Sequence, residues 1–100
     1  MTAWLIVTAH VHDRPAFMAG YAPAAARLVE AFGGRYVVHA PGAVQLEGVG
    51  GAGASVVISE WPDAAAARAF WDSPDYAAIK ELREGIAEVS VLLVESGVAG

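Results

Sequence analysis

Residues Ala3 to Val11 form a strand-type run that is apolar on both of its faces, and this feature restricts the folds open to the chain more than any other. Side chains of a strand alternate, so Trp4, Ile6 and Thr8 share one face while Leu5, Val7, Ala9 and Val11 share the other. A strand covered on one side alternates apolar with polar residues; one that is apolar on both sides is buried from above and below. Val56, Val57 and Ile58 within the run Ser55 to Trp61 have the same character, as do Val89, Val91 and Leu93 against Leu92 and Val94 within Glu88 to Glu95.

Helices separate these runs. After His12, Asp13 is a capping residue and Pro15 stands in a first turn, where its missing N–H costs nothing. Phe17, Tyr21, Ala24, Leu28 and Phe32 then follow at spacings of four, three, four and four, which predicts a long amphipathic helix with a kink or short break near Gly20 and Pro23. Gly33-Gly34 ends it, because glycine accepts the left-handed conformation beyond a helix C-terminus. Arg35 to His39 reads as a short second strand, Pro41-Gly42 as a turn and residues 48–53 as a flexible glycine-rich connection. Asp63 caps a helix carrying Ala67, Phe70 and Trp71, and Ser73 with Pro74 starts another whose Tyr76, Ile79, Leu82, Arg83 and Ile86 share one side. The tail from Ser96 to Gly100 is expected to fray.

The order is strand, helix, strand, strand, helix, strand over a single domain spanning residues 1–100. Right-handed crossovers place both helical segments on one face of a four-stranded antiparallel sheet, an α+β ferredoxin-like βαββαβ fold. That arrangement covers one sheet face only, whereas the strands are apolar on both. At roughly 25 cal/mol per Å2, even ~600 Å2 of uncovered apolar surface represents ~15 kcal/mol of unrealised burial before association costs. The expected solution is a homodimer packed sheet against sheet, a dimeric α/β barrel.

Composition narrows the partners. Hydrophobic residues make up 56% of the chain, enough for a core, yet they come in runs far shorter than the roughly 20 residues of a membrane span, so no membrane partner is expected. No basic residue precedes the apolar N-terminal stretch, which reads as mature structure of a cytoplasmic protein. Six basic residues are scattered against eleven acidic ones, which excludes the footprint of a nucleic-acid binder. The absence of cysteine removes disulfides, thiol nucleophiles and thiolate metal sites together.

Few groups are left to carry chemistry. Residues 48–53 match a dinucleotide-binding fingerprint in letters, but a strand follows where the pyrophosphate site needs a helix N-terminus. His10 and His12 share a strand face and His39 is a third imidazole, but no carboxylate completes a metal set, so no metal is expected. His10 is the candidate general base if it faces a pocket, with Tyr76 as the other catalytic candidate. Arg83 shares a helix side with Tyr76 and therefore approaches the core, where a guanidinium needs a carboxylate or a bound anion; Glu60 is the expected internal partner, and Glu47 is another. Tyr21, Trp71 and Tyr76, with Trp4 and Trp61, are the aromatic candidates for a small cavity between helices and sheet.

The strings Phe32-Gly33-Gly34-Arg35-Tyr36, Leu46-Glu47-Gly48, Val56 to Pro62 and Trp71-Asp72-Ser73-Pro74-Asp75-Tyr76 with Lys80 and Arg83 resemble the family known as domain of unknown function 1330. The resemblance extends over nearly the whole chain. It implies the wider dimeric α/β-barrel superfamily, whose members include cofactor-independent antibiotic-biosynthesis monooxygenases, muconolactone isomerase-like proteins and haem-degrading enzymes. Two functions are expected from the whole. One is a small-molecule binder, or a cofactor-free oxygenase or isomerase, with Tyr21, Glu60, Trp71, Ser73, Tyr76 and Arg83 at the ligand and no cofactor. The other is a homodimer without catalysis. A haem site on one histidine is a third reading, which a Soret band after haem addition would support.

Overall fold

The computed structural model describes residues 1–96, and the expectation for the tail beyond Ser96 lies outside them. Strand β1 (Thr2–Val11) leads into helices α1 (Arg14–Ala19) and α2 (Tyr21–Ala31), then β2 (Arg35–Ala40), β3 (Ser55–Trp61), α3 (Ala64–Trp71), α4 (Pro74–Lys80), a 3-10 turn (Glu81–Arg83) and β4 (Ala87–Ser96). The strands assemble in the order β2-β3-β1-β4 with every neighbouring pair antiparallel. This is the ferredoxin-like α+β fold, with an open sheet whose edges are β2 and β4. Strand β1 is central, and it is the run whose two apolar faces most constrained the fold.

Local signals act as their chemistry requires. The Asp13 carboxylate accepts from Ala16 N at 3.1 Å, that of Asp63 from Ala66 N at 2.8 Å, and Ser73 Oγ from Tyr76 N at 3.0 Å, so three helices begin on side-chain caps. Gly33 has φ +93, the left-handed turn that releases the chain from α2. The long first helix divides completely at Gly20. Helix α2 restarts at Tyr21, which puts Pro23 in its first turn, where an N–H has no intrahelical partner to lose. Leu82, expected on the buried side, is 50% exposed, because the tightening of α4 into a 3-10 turn rotates it outward.

The core lies between the helix layer and the sheet and contains Ala3, Leu5, Val29, Trp61, Ala67, Phe70 and Tyr76. Trp61 is 1% exposed, and its indole N–H donates to Ser59 Oγ at 2.9 Å. Its ring packs against Gly34 so closely that a Cβ there would stand 2.7 Å from Cζ2. The Cα trace measures 37 × 36 × 17 Å, and the short dimension holds one sheet and one helix layer. The opposite sheet face is therefore uncovered. Trp4, Ile6, Val56 and Ile58 are half-buried there, flanked by exposed Val38, Leu92 and Val94.

Candidate functional site

Between α2 and the sheet lies a cavity of about 210 Å3. Its floor is the helix-facing side of the strands: Leu5, Val7 and Ala9 of β1, Ser55, Val57 and Ser59 of β3, and Val89 and Val91 of β4. Its roof is α1 and α2, where Ala22, Ala25 and Ala26 present only methyl groups to the sheet. The cavity has a direct sequence cause. Larger aliphatic side chains at these helix positions would fill the gap between the layers at the density of an ordinary core.

Aromatic residues close one side. Tyr21, Phe70, Trp71 and Tyr76 line the cavity, and the hydroxyl groups of Tyr21 and Tyr76 are 2.7 Å apart. The ring of Tyr76 packs in tilted contact against Trp71 and Phe70, with ring centres 5.0 Å and 4.7 Å away. Burial, and then the neighbouring Tyr76, push the Tyr21 phenol well above its ordinary value. Burial raises Tyr36 as well. Both phenols are therefore neutral donors across the physiological range, suited to hydrogen-bonding a carbonyl or an enolic oxygen and unsuited to act as phenolate bases.

Arg83 stands behind this pair. Its guanidinium carbon lies 5.6 Å from the Tyr21 ring centre, outside the cavity lining, and its buried Nε has no hydrogen-bond partner. The expected partnership with Glu60 is not formed. Glu60 is opposite Trp4 on β1 and Arg35 on β2, on the sheet face away from the helices. There it accepts from Arg35 Nη2 at 2.8 Å and Trp4 Nε1 at 3.2 Å. The Arg35 hydrogen bond, aided by that of Trp4, holds the Glu60 carboxyl below its usual value. One residue decides the matter: Ser59 faces the cavity and Glu60 faces away. Trp4 is excluded from the cavity for the same reason, whereas Trp61 faces the helix side but is spent in the core.

His10 also belongs to the outer face, where its Nε2 lies 2.8 Å from Gly50 O, so it does not serve the cavity as a base. Ser73 is occupied as a cap: its Oγ donates to Phe70 O at 2.8 Å while accepting from Tyr76 N, and it does not line the cavity. Its contribution is to hold α4 so that Tyr76 points inward. The Gly48–Gly53 connection runs into β3 and is gathered by Gln45, whose Oε1 accepts from Gly51 N at 2.6 Å. His12 meets Glu88 at 3.3 Å, and among the described residues no three His, Asp or Glu side chains converge as a metal set.

Three lining residues escaped the sequence reading of the site. Tyr36 and His39 are three apart, a spacing that puts strand residues on opposite faces, yet both reach the cavity. An irregularity between Tyr36 and Val38 shifts the register, so Tyr36 faces Ser59 and His39 faces Val57. Arg14, the first residue of α1, reaches the cavity and donates from Nη2 to Ser55 Oγ at 3.3 Å.

Residues 2–97 match the family described as Domain of unknown function (DUF1330). No curated protein matches the sequence. Among solved structures, RPA0582, a protein of unknown function from Rhodopseudomonas palustris, superposes with a TM-score of 0.77 at 16% identity, covering 98% of this chain and 84% of its own. SnoaB, a cofactor-independent oxygenase from Streptomyces nogalater, superposes with a TM-score of 0.67 at 16% identity, covering 98% and 95%. At these identities the likeness is one of fold.

Proposed function

We propose that this chain, which belongs to the DUF1330 family, binds a small and largely apolar organic molecule in the cavity between α2 and the sheet, with the Tyr21–Tyr76 pair donating to an oxygen of that molecule. The carrying observation is the gap under Ala22, Ala25 and Ala26, which has mostly apolar walls with the tyrosine pair at one side and Arg14, Ser55 and His39 among its few other polar groups. An empty cavity of ~150 Å3 accepts benzene, so about 210 Å3 suits one substituted ring. The hydroxyl of the pair whose proton is not used between them can donate to a carbonyl oxygen and so stabilise negative charge that develops there in isomerisation or cofactor-free oxygenation. Likeness to SnoaB, itself a cofactor-independent oxygenase, supports the second chemistry.

The outer sheet face supports the partner. Trp4, Ile6, Val38, Val56, Ile58, Leu92 and Val94 form an apolar surface that a second copy covers in the proposed homodimer. Sedimentation at micromolar concentration tests this, and a stable monomer overturns it.

Ligand binding is tested by the thermal stability of the wild type and of Ala25→Leu with phenol, acetophenone and 1-indanone. A ligand that binds only the folded state raises Tm by mass action. We expect stabilisation of the wild type and none of Ala25→Leu, whose side chain occupies the cavity. Equal responses in both proteins, or none in either, defeat the reading. Oxygen uptake with a bound ketone or phenol, without added cofactor, separates an oxygenase from a binder.

A further inference from the structure

We propose that the ligand of this cavity is an anion, an aromatic or arylalkyl carboxylate of single-ring size, whose carboxylate is received by Arg14 at the Ser55 end; the inference rests on the cavity-binding reading above. The lining is set apart by charge. The chain has eleven acidic and six basic residues, yet no Asp or Glu lines the cavity, while Arg14 and His39 do. A lining drawn evenly from this sequence would be acidic.

Arg14 is also uncommitted. Guanidinium has five N–H donors in a fork that matches a carboxylate. Among the described residues, the side chain of Arg14 uses one of them, in the 3.3 Å hydrogen bond to Ser55 Oγ, and forms no ion pair. The adjacent carboxylate of Asp13 is engaged at Ala16 N as the cap of α1. His39 lies opposite Val57, next to Ser55 along the same face of β3, so a second N–H-bearing group stands at this end. The three methyl groups of α2 and the valines of the floor take the ring, and the Arg14 end takes the charge. This orientation leaves the Tyr21–Tyr76 pair for a second oxygen on the ring or its side chain.

The test compares matched acids and amides. Benzoate and 3-phenylpropionate, with benzamide and 3-phenylpropionamide, are titrated by calorimetry into the wild type, Arg14→Gln, Arg14→Lys and Ala25→Leu. A hydrogen-bonded charge pair predicts that the acids bind the wild type about tenfold more tightly than the amides. Arg14→Gln abolishes that preference by weakening the acids far more than the amides, and Arg14→Lys retains part of it. Arg14 is exposed, so its replacement does not disturb the core. Equal affinity of acids and amides for the wild type, or an acid preference that survives Arg14→Gln, overturns the assignment while leaving the cavity reading intact. Binding of neither class, or binding unchanged in Ala25→Leu, overturns the cavity reading and this inference with it.

Discussion

The hydroxyl oxygens of Tyr21 and Tyr76 lie 2.7 Å apart, one carried by α2 and the other by α4, so a single hydrogen bond joins the helices of the two halves of the chain at the wall of the cavity. Tyr76 is 2% exposed, which leaves its hydroxyl little access to solvent if the bond is broken. Tyr21→Phe and Tyr76→Phe are each expected to destabilise the fold by about 1–3 kcal/mol, the cost of leaving a buried polar partner unpaired. The double variant should cost less than the two added together, because no orphan hydroxyl remains. Urea denaturation of the four proteins closes the cycle, and simple additivity would show that the two groups do not act as a pair.

The phenols of Tyr21 and Tyr36 ionise above their ordinary value, Tyr21 through burial and then its Tyr76 partner, Tyr36 through burial. A group whose folded value is raised contributes stability that is fully present below its unfolded value and is lost as pH rises. Stability should therefore decline once pH exceeds about 10, the unfolded tyrosine value. Absorbance titration of the native protein should show delayed tyrosinate formation, with the delayed component reduced in Tyr21→Phe. Titration of every phenol at the free value would refute the burial of these two hydroxyls.

Glu60 behaves in the opposite sense. The hydrogen bond from Arg35, supported by that from Trp4, depresses its folded value, so its contribution is present above the unfolded carboxylate value and is lost as pH falls. Thermal unfolding followed downward from pH 6 should show this loss begin near about 4.3, the ordinary glutamate value, and continue below it. Glu60→Gln should flatten that part of the profile without altering ligand binding in the cavity on the other face. A change in cavity affinity would restore the role at the ligand that the sequence suggested.

The backbone of Gly34 lies directly against the Trp61 ring in the core, where an added Cβ would stand 2.7 Å from the indole. Trp61 is enclosed on all sides and cannot turn away. Gly34→Ala is thus expected to cost about 1–3 kcal/mol through overpacking, which in a domain of this size lowers Tm by roughly 4–8 °C per kcal/mol. Gly33→Ala perturbs the same turn through its φ of +93 without touching the indole. Near-UV circular dichroism of the tryptophans separates the two effects.

Much of the fold was legible from short-range chemistry. Asp13, Asp63 and Ser73 cap helices because the groups they satisfy lie three residues away, and Gly33 ends α2 because only local backbone freedom is needed there. The aromatic side of the cavity was legible too, since Tyr21, Trp71 and Tyr76 each lie on the apolar stripe of their own helix. Its polar end was not. Arg14 reaches Ser55 across 41 residues, and Tyr36 and His39 share a face only because a register shift intervenes.

The sequence by itself determined the order of elements, their caps and stops, and the presence of two apolar faces on the central strands, because each follows from the 2.0- and 3.6-residue periods of neighbouring side chains. Only the tertiary structure decided which strand face the helices cover. That choice sends Ser59 into the cavity and Glu60 out of it, turns His10 away and brings His39 in. A pattern of period two carries alternation but no label for inside and outside when both faces are apolar. The label came from the packing of α2, whose small alanines also left the space that the ligand is proposed to fill.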